Sequence, residues 1–187
     1  DNGYELIADA IRLAKERIEL EAYSLKHYGI VTELVRQAER GVTVTALLEG
    51  APVGGIEDQE LWACQQLHAT GHGKCAFMVN DGGANIFDRY TYLHAKFVLV
   101  DRQRLLLGSQ NLSQSGLPDD RKDNGTGGSR GVVALTDAPE MVARAAEVFD
   151  ADYDPAHHAD VRLWSPQHAL GYGLPPSGFV PDQGDDW

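Results

Sequence analysis

The chain contains no apolar run long enough to cross a membrane. A membrane helix needs roughly 20 consecutive apolar residues, and no stretch approaches that length, although 43% of the 187 residues are hydrophobic. With 24% charged residues, the composition is typical of one globular domain with ample material for a core. The sequence also shows no internal repeat.

Basic residues are scarce. The 16 Lys and Arg residues face 28 Asp and Glu residues, which gives a net charge of −12 at neutral pH. This balance disfavours a strongly basic groove for nucleic acid and tight adsorption to anionic lipid. A local basic patch is still compatible with the sequence, since Arg121, Lys122 and Arg130 lie close together along the chain.

Cysteine is limited to Cys64 in a helical pattern and Cys75 in a strand pattern. The default interpretation is two buried thiols, with a disulfide as the alternative, and a metal site is poorly supported. His157 and His158 form a pair without two further ligands at suitable spacing, so we interpret them as surface residues. His27 follows the first predicted strand, and we interpret it as an ordinary structural residue.

The two ends of the chain differ from its middle. The sequence opens with DNGYELI, without an initiator Met or an apolar leader, which favours a piece of a longer protein and leaves the compartment open. Near the other end, Pro and Gly become frequent from about Ser165. We therefore predict a domain over residues 1–163 and a Pro/Gly-rich arm or linker over residues 164–187.

Helical and strand patterns alternate along the domain. Helices are predicted over about 5–16, 30–40 and 60–70, and strands over 18–22, 42–48, 75–79, 92–100, 105–109 and 131–135. A last helix is predicted to run from an N-cap at Asp137, with Glu140 three positions later, to about Phe149. The alternation predicts an α/β fold, an α/β/α sandwich with a mixed central β-sheet.

One stretch, LHAKFVLVDRQRLLLGSQN, concentrates the side chains that point to chemistry. It fits the pattern HxKxxxxDxxxxxxGSxN with His94, Lys96, Asp101, Gly108, Ser109 and Asn111. Its two apolar runs flank a polar turn, which predicts a centrally placed antiparallel hairpin in which Val100 pairs with Leu105.

This register predicts which side chains share a face. Lys96 falls opposite Ser109 and His94 opposite Asn111, and directly opposed residues point to the same side of a hairpin. An imidazole, a fixed cation and two neutral hydrogen-bonding groups then meet, as a bound phosphodiester requires. Imidazole is both a nucleophile and a proton carrier near neutral pH, while ammonium and amide groups stabilise charge on phosphoryl oxygens.

Asp101 has a different predicted role. It lies seven residues from His94 along the strand, which corresponds to roughly 23 Å. We therefore expect its side chain to fix the hairpin turn rather than to touch the phosphate.

The pattern resembles the HKD motif of the phospholipase D superfamily. The match is complete across residues 94–111, and a weaker likeness extends over residues 4–150. The resemblance implies the same fold, with His94 as the nucleophile that forms a phosphohistidine, or as the acid if this copy has the other role. Lys96 and Asn111 are then implied to hold the phosphate oxygens, supported by Ser109.

The sequence departs from that family at one position. Members usually carry an acidic residue at the start of the next strand, where it orients a catalytic histidine, but here Ser129 and Arg130 precede the strand. Asp119, Asp120 and Asp123 in the preceding loop are the nearest downstream carboxylates. Either one of them substitutes or the orienting contact is missing.

Only one copy of the motif is present, whereas the resemblance implies two copies that face each other. The second is expected from a homodimer partner or from an absent part of the parent chain, which the two chain ends favour. The leading interpretation is a phosphodiester hydrolase or phosphatidyl transferase that needs no metal or other cofactor and acts on a lipid headgroup. The alternatives are a metal-independent endonuclease acting on nucleic acid and a weakly catalytic half that serves as a pairing or binding module.

Overall fold

The structure is a computed structural model that describes residues 3–80, 89–118, 127–167 and 173–184. In these segments the chain forms four helices and seven strands. In chain order they are α1 (Gly3–Arg12), β1 (Arg17–Ala22), α2 (Tyr28–Glu39), β2 (Thr43–Glu49), α3 (Asp58–Ala69), β3 (Gly73–Met78), β4 (Lys96–Val100), β5 (Arg104–Gly108), β6 (Val133–Thr136), α4 (Pro139–Asp152) and β7 (Val161–Leu163).

All seven strands belong to one mixed sheet with the order β6-β5-β4-β1-β2-β3-β7. Strands β1, β2 and β3 are parallel and are connected through α2 and α3, whereas β4, β5, β6 and β7 each pair antiparallel to their neighbours. Helices α1, α2 and α3 cover one face and α4 covers the other. The predicted α/β/α sandwich with a mixed sheet is therefore confirmed, and β4 is an interior strand that lies between β5 and β1.

Both faces of β4 are buried because successive side chains alternate between the two helical layers. Val98 and Val100 pack into the core on the side of α1 to α3, whereas Phe97 and Leu99 pack into the core beside α4. This double burial fixes the strand that follows His94. Within the described segments, no helix combines the length and the apolarity that a membrane span requires.

The predicted hairpin register is wrong by one residue. Val100 pairs with Arg104 rather than with Leu105, so the turn contains three residues instead of two. Asp101 and Arg102 adopt positive φ values of 54° and 51°, and the Asp101 carboxylate accepts hydrogen bonds from the backbone N–H groups of residues 15–17. These long-range contacts hold a turn that local sequence rules do not predict.

Two other predictions need correction. Cys64 and Cys75 form a disulfide between α3 and β3, with 5.4 Å between their Cα atoms, so the default of two free thiols is wrong. Asp137 is not the N-cap of α4. Ala138 has that place and makes no side-chain capping bond. A proline in the first turn starts this helix, since it presets φ and has no N–H group to satisfy.

Described residues of the predicted C-terminal arm contact the sheet and α3. The backbone N–H of Trp164 donates to the carbonyl of Cys75, and the Trp164 side chain is buried beside His68. Further along, the side chain of Gln59 exchanges hydrogen bonds with the backbone of Asp182. The domain boundary at residues 163 and 164 stays a prediction.

Strand β1 carries an unusual buried acid. Glu21 lies opposite Leu47 and Phe97 and is 1% exposed, and neither of its carboxylate oxygens has a hydrogen-bond partner in the part of the chain that the structure describes. Burial and the negative charge of Asp152 raise the pKa of Glu21 to about 8, against the opposing effect of Arg89. Glu21 is therefore mostly protonated in the folded protein at neutral pH.

Substitution of this acid should change how stability depends on pH. An unfolded Glu ionises near pH 4.5, whereas folded Glu21 keeps its proton up to about pH 8, so stability falls as pH rises between these values. In Glu21→Gln, we expect the loss of unfolding free energy between pH 5 and pH 8 to shrink by about 2–4 kcal/mol. Urea unfolding at several pH values measures this. Parallel pH profiles for the variant and the parent protein would contradict it.

Candidate functional site

A cavity of about 240 Å³ opens where β1 ends and β4 begins. Its lining includes the predicted side chains of His94, Lys96, Ser109 and Asn111, together with Gln110, Ser113, Ser115, Ser129 and Arg130. No carboxylate of the described segments lines it. The cavity is thus a polar, positively charged pocket in a chain with a net charge of −12.

His94, Lys96, Ser109 and Asn111 line one cavity, as predicted, although the hairpin register on which that prediction depended is wrong. In the observed register Lys96 falls in line with Gly108, and an extended β5 would turn Ser109 to the opposite face. However, β5 ends at Gly108, and the chain beyond it leaves the pleat. Ser109 then bonds to Val132, donating its N–H to the carbonyl and accepting the Val132 N–H on its hydroxyl.

Lys96 is the central cation of the cavity. Its ammonium donates to the carbonyl of His94 at 2.9 Å and lies 5.7 Å from the ring centroid of Tyr23. Partial burial lowers the pKa of Lys96, and no carboxylate of the described residues pairs with it. An anion bound in the cavity would offset this loss of hydration.

His94 itself is exposed to the cavity, and its ring meets Tyr23 edge-on at a centroid distance of 5.0 Å. No described carboxylate bonds to the imidazole. The alternative acids Asp119, Asp120 and Asp123 lie outside the described residues, as do Arg121 and Lys122, so their predicted roles stay predictions.

Asn111 is partly buried at the inner wall of the cavity. Its side-chain oxygen is buried and has no hydrogen-bond partner among the described residues. Nearby, the Leu112 carbonyl accepts the N–H groups of Lys26 and His27, which fixes the chain beside it. The backbone contacts of Leu112 therefore fix the position of Asn111, and the side-chain oxygen of Asn111 has no partner among the described residues.

Asp101 lies at the opposite end of β4 from His94. Desolvation alone would raise the pKa of its carboxyl group, but the N–H groups of Lys15, Glu16 and Arg17 lower it. The side chain thus ties the hairpin turn to the linker between α1 and β1. It does not line the cavity.

Glu49, which is not part of the motif, holds the backbone beside His94. Strand β4 was predicted from residue 92 but begins at Lys96, so His94 precedes the strand. The buried Glu49 carboxylate accepts the Leu93 N–H at 2.5 Å on one oxygen and the Ala51 N–H at 2.7 Å on the other. The two partners of this contact are 44 residues apart, so no local pattern signals it.

Arg89 holds the start of the same segment. Its guanidinium bonds to the Asp160 carboxylate at 2.8 Å and donates to the carbonyls of Ala151 and Asp152 at the C-terminus of α4. A cation at this helix end also interacts favourably with the helix dipole. Side chains, rather than a strand ladder, therefore fix residues 89–95.

The other histidines described lie elsewhere. His27 is buried as the N-cap of α2, accepting from the Ile30 N–H and donating to the Leu117 carbonyl. His157 is exposed and pairs with Asp154. In the described part of the chain, no three His, Cys, Asp or Glu side chains come close enough to hold a metal ion.

The comparisons with known proteins agree on one superfamily. The family model described as "Cardiolipin synthase, PLD-like domain" matches residues 7–153. No curated protein matches the sequence with statistical support.

Solved structures share the fold at low sequence identity. Nuc from Salmonella typhimurium, a phospholipase D family member, has a TM-score of 0.65 at 19% identity over 86% of this chain and 89% of its own. NucT from Helicobacter pylori scores 0.63 at 19% identity, covering 79% and 85%. Phosphatidylserine synthase from Haemophilus influenzae scores 0.60 at 17% identity, covering 86% of this chain but 36% of its own.

The Glu49 contact should control the mobility of the His94 backbone. In Glu49→Met, which removes both acceptor oxygens at similar volume, we expect the Leu93 amide to exchange with solvent at least about tenfold faster. Glu33→Met is the matched control, since Glu33 is also buried but contacts Arg12 and Arg36. Equal Leu93 exchange rates in the two variants, measured by NMR, would show that Glu49 does not hold this segment.

Proposed function

Because the chain belongs to the phospholipase D superfamily, we propose that it cleaves phosphodiester bonds through a covalent phosphohistidine on His94. One observation carries this proposal. A single cavity holds an exposed imidazole, the Lys96 ammonium without a carboxylate partner among the described residues, and the Asn111 amide. This combination supplies a nucleophile and the groups that stabilise a phosphoryl anion.

The reaction has two steps. An imidazole nitrogen of His94 attacks phosphorus, and the bond from phosphorus to the leaving oxygen breaks as that oxygen takes a proton from a second acid. Water, deprotonated by the same group, then attacks the phosphohistidine and releases the phosphate monoester. Lys96 and Asn111 contact the non-bridging oxygens, where negative charge grows in both transition states.

This chemistry requires no metal ion. Lys96 supplies the positive charge that a metal often provides in phosphoryl transfer, and His94 supplies the nucleophile. We propose hydrolysis, or transfer to an alcohol in place of water, of a phosphodiester in a lipid headgroup.

A nucleic-acid substrate is the second candidate. Tyr90 and Tyr92 precede His94 and are about half exposed, at 49% and 50%, and aromatic rings at such a place can stack on unpaired bases. The net charge of −12 opposes this candidate. Phosphatidylcholine vesicles and single-stranded plasmid DNA, assayed side by side, separate the two substrates.

The two-step reaction needs a second imidazole or an equivalent acid. Among the described residues, His94 is the one histidine that lines the cavity. We propose that a second copy of the motif completes the site, either from a two-fold partner or from another part of the parent protein. A weakly catalytic half that works as a pairing or binding module is the corresponding alternative without an enzymatic role.

The nucleophile assignment predicts the outcome of one substitution. His94→Ala should abolish hydrolysis of bis(p-nitrophenyl) phosphate while the melting temperature stays near that of the parent protein, because the side chain is exposed. Lys96→Ala should lower turnover by about 10² or more. A rapid quench in alkaline SDS, which preserves the acid-labile P–N bond, should trap label from ³²P-labelled substrate on His94 in the parent protein, and excess EDTA should leave the rate intact. Label on another residue would contradict the assignment.

The second-imidazole proposal predicts that a monomer of this chain is nearly inactive. Sedimentation and turnover measured on the same sample test it, and a monomer with full activity would contradict it. Mixing the parent protein with the His94→Ala variant shows whether the second imidazole comes from a two-fold partner. If two copies share one site, random pairing of equal amounts leaves about a quarter of the activity rather than half.

A further inference from the structure

One wall of the cavity is built by two chain segments that bond to each other. The Ser129 N–H donates to the Ser115 carbonyl at 2.7 Å, and the Gly116 N–H donates to the Ser113 hydroxyl at 3.1 Å. The hydroxyls of Ser113 and Ser115 lie 3.5 Å apart. This wall therefore presents hydroxyl groups to the cavity from a backbone that its own hydrogen bonds fix.

Arg130 belongs to this wall, and the chain on both sides of it is anchored. On one side Ser129 bonds to Ser115, and on the other Val132 and Ser109 exchange two hydrogen bonds. The anchor at Ser109 belongs to the predicted phosphate site itself. Arg130 is thus held at the rim of the cavity that contains His94.

The charge of the cavity exceeds what one phosphodiester requires. A phosphodiester carries one negative charge, and Lys96 and Asn111 are placed to meet it. Arg130 adds a second positive charge, and no carboxylate of the described segments lines the cavity. A guanidinium with neighbouring hydroxyl donors is a typical binding arrangement for a phosphate group.

We propose that Arg130, with the hydroxyls of Ser113, Ser115 and Ser129, binds a second phosphate of the substrate, next to the scissile one. This inference rests on the proposed function, because it extends the same site. It identifies the substrate class as phosphodiesters with a neighbouring phosphate. Both a polynucleotide backbone and a headgroup with two phosphates offer that chemistry.

Binding measurements test this without turnover. In the His94→Ala background, calorimetry compares thymidine 5′-(methyl phosphate) with the same compound carrying a 3′-phosphate. We expect the 3′-phosphate to tighten binding about tenfold at low salt, and Arg130→Ala to remove most of that gain. Arg130→Lys should keep part of the gain, since a point charge remains but the fork of donors is lost.

Arg144→Ala is the matched control, because Arg144 is an exposed arginine on α4 that pairs with Glu147. It changes the net charge equally and should keep the full gain. The inference is overturned if the 3′-phosphate gives no gain in affinity, if Arg130→Ala keeps that gain, or if Arg144→Ala loses it equally.

A glycerol-based pair of ligands, with and without the second phosphate, shows whether the gain depends on the nucleoside. A gain in both pairs supports recognition of the phosphate alone, and a gain confined to the thymidine pair supports a nucleotide substrate.

Turnover by the unsubstituted chain separates this inference from the proposed function. If it releases no p-nitrophenolate from the p-nitrophenyl esters of the same compounds, even in a single turnover, while the affinities behave as expected, the proposed function fails and the phosphate subsite stands. A single turnover needs no second imidazole, because p-nitrophenolate leaves without a proton. If hydrolysis proceeds but the affinities do not discriminate, the subsite is rejected and the proposed function stands.

Discussion

The position of β4 in the sheet is the constraint on which the site depends. This strand pairs antiparallel with both β1 and β5 and is buried on both faces. Its amino end therefore meets the carboxyl ends of the parallel strands β1 and β2. At that edge Lys96 enters from β4, Tyr23 follows β1, and Glu49 closes β2. Displacement of β4 would separate the cation from the residues that hold its neighbour His94.

Buried charged side chains hold this edge of the sheet on the side of α4. On the side of α4, Arg89 and Glu49 satisfy backbone groups that would otherwise lie unpaired at the end of the sheet. Glu21 lies in the same layer but has no hydrogen-bond partner among the described residues, and burial raises its pKa so that the carboxyl group keeps its proton and stays uncharged. Polar groups here fix the geometry of the segment that enters β4.

The cavity itself has the opposite character. Lys96 and Arg130 lack carboxylate partners among the described residues, although the chain has 28 acidic residues. Cations without counter-ions in a partly desolvated pocket favour an anionic ligand, because the ligand replaces the lost hydration. Ser129 and Arg130, rather than the acid that the motif resemblance led us to expect, precede the strand that follows the hairpin. Arg130 therefore adds a positive charge to the cavity, and within the described segments no acid orients His94.

The sequence by itself determined the α/β/α fold, because hydrophobic periodicity indicates which strand faces are buried. The motif also indicated four of the residues that line the cavity, His94, Lys96, Ser109 and Asn111, but not the wall formed by Ser113, Ser115, Ser129 and Arg130. It also identified Asp101 as distant from the site, since distance along a strand is a local property. Only the tertiary structure decided the hairpin register, the Cys64–Cys75 disulfide and the Glu49 contact with Leu93. Each of these depends on residues that lie far apart in sequence or on a turn held by remote backbone groups, and such contacts leave no trace in local composition or periodicity.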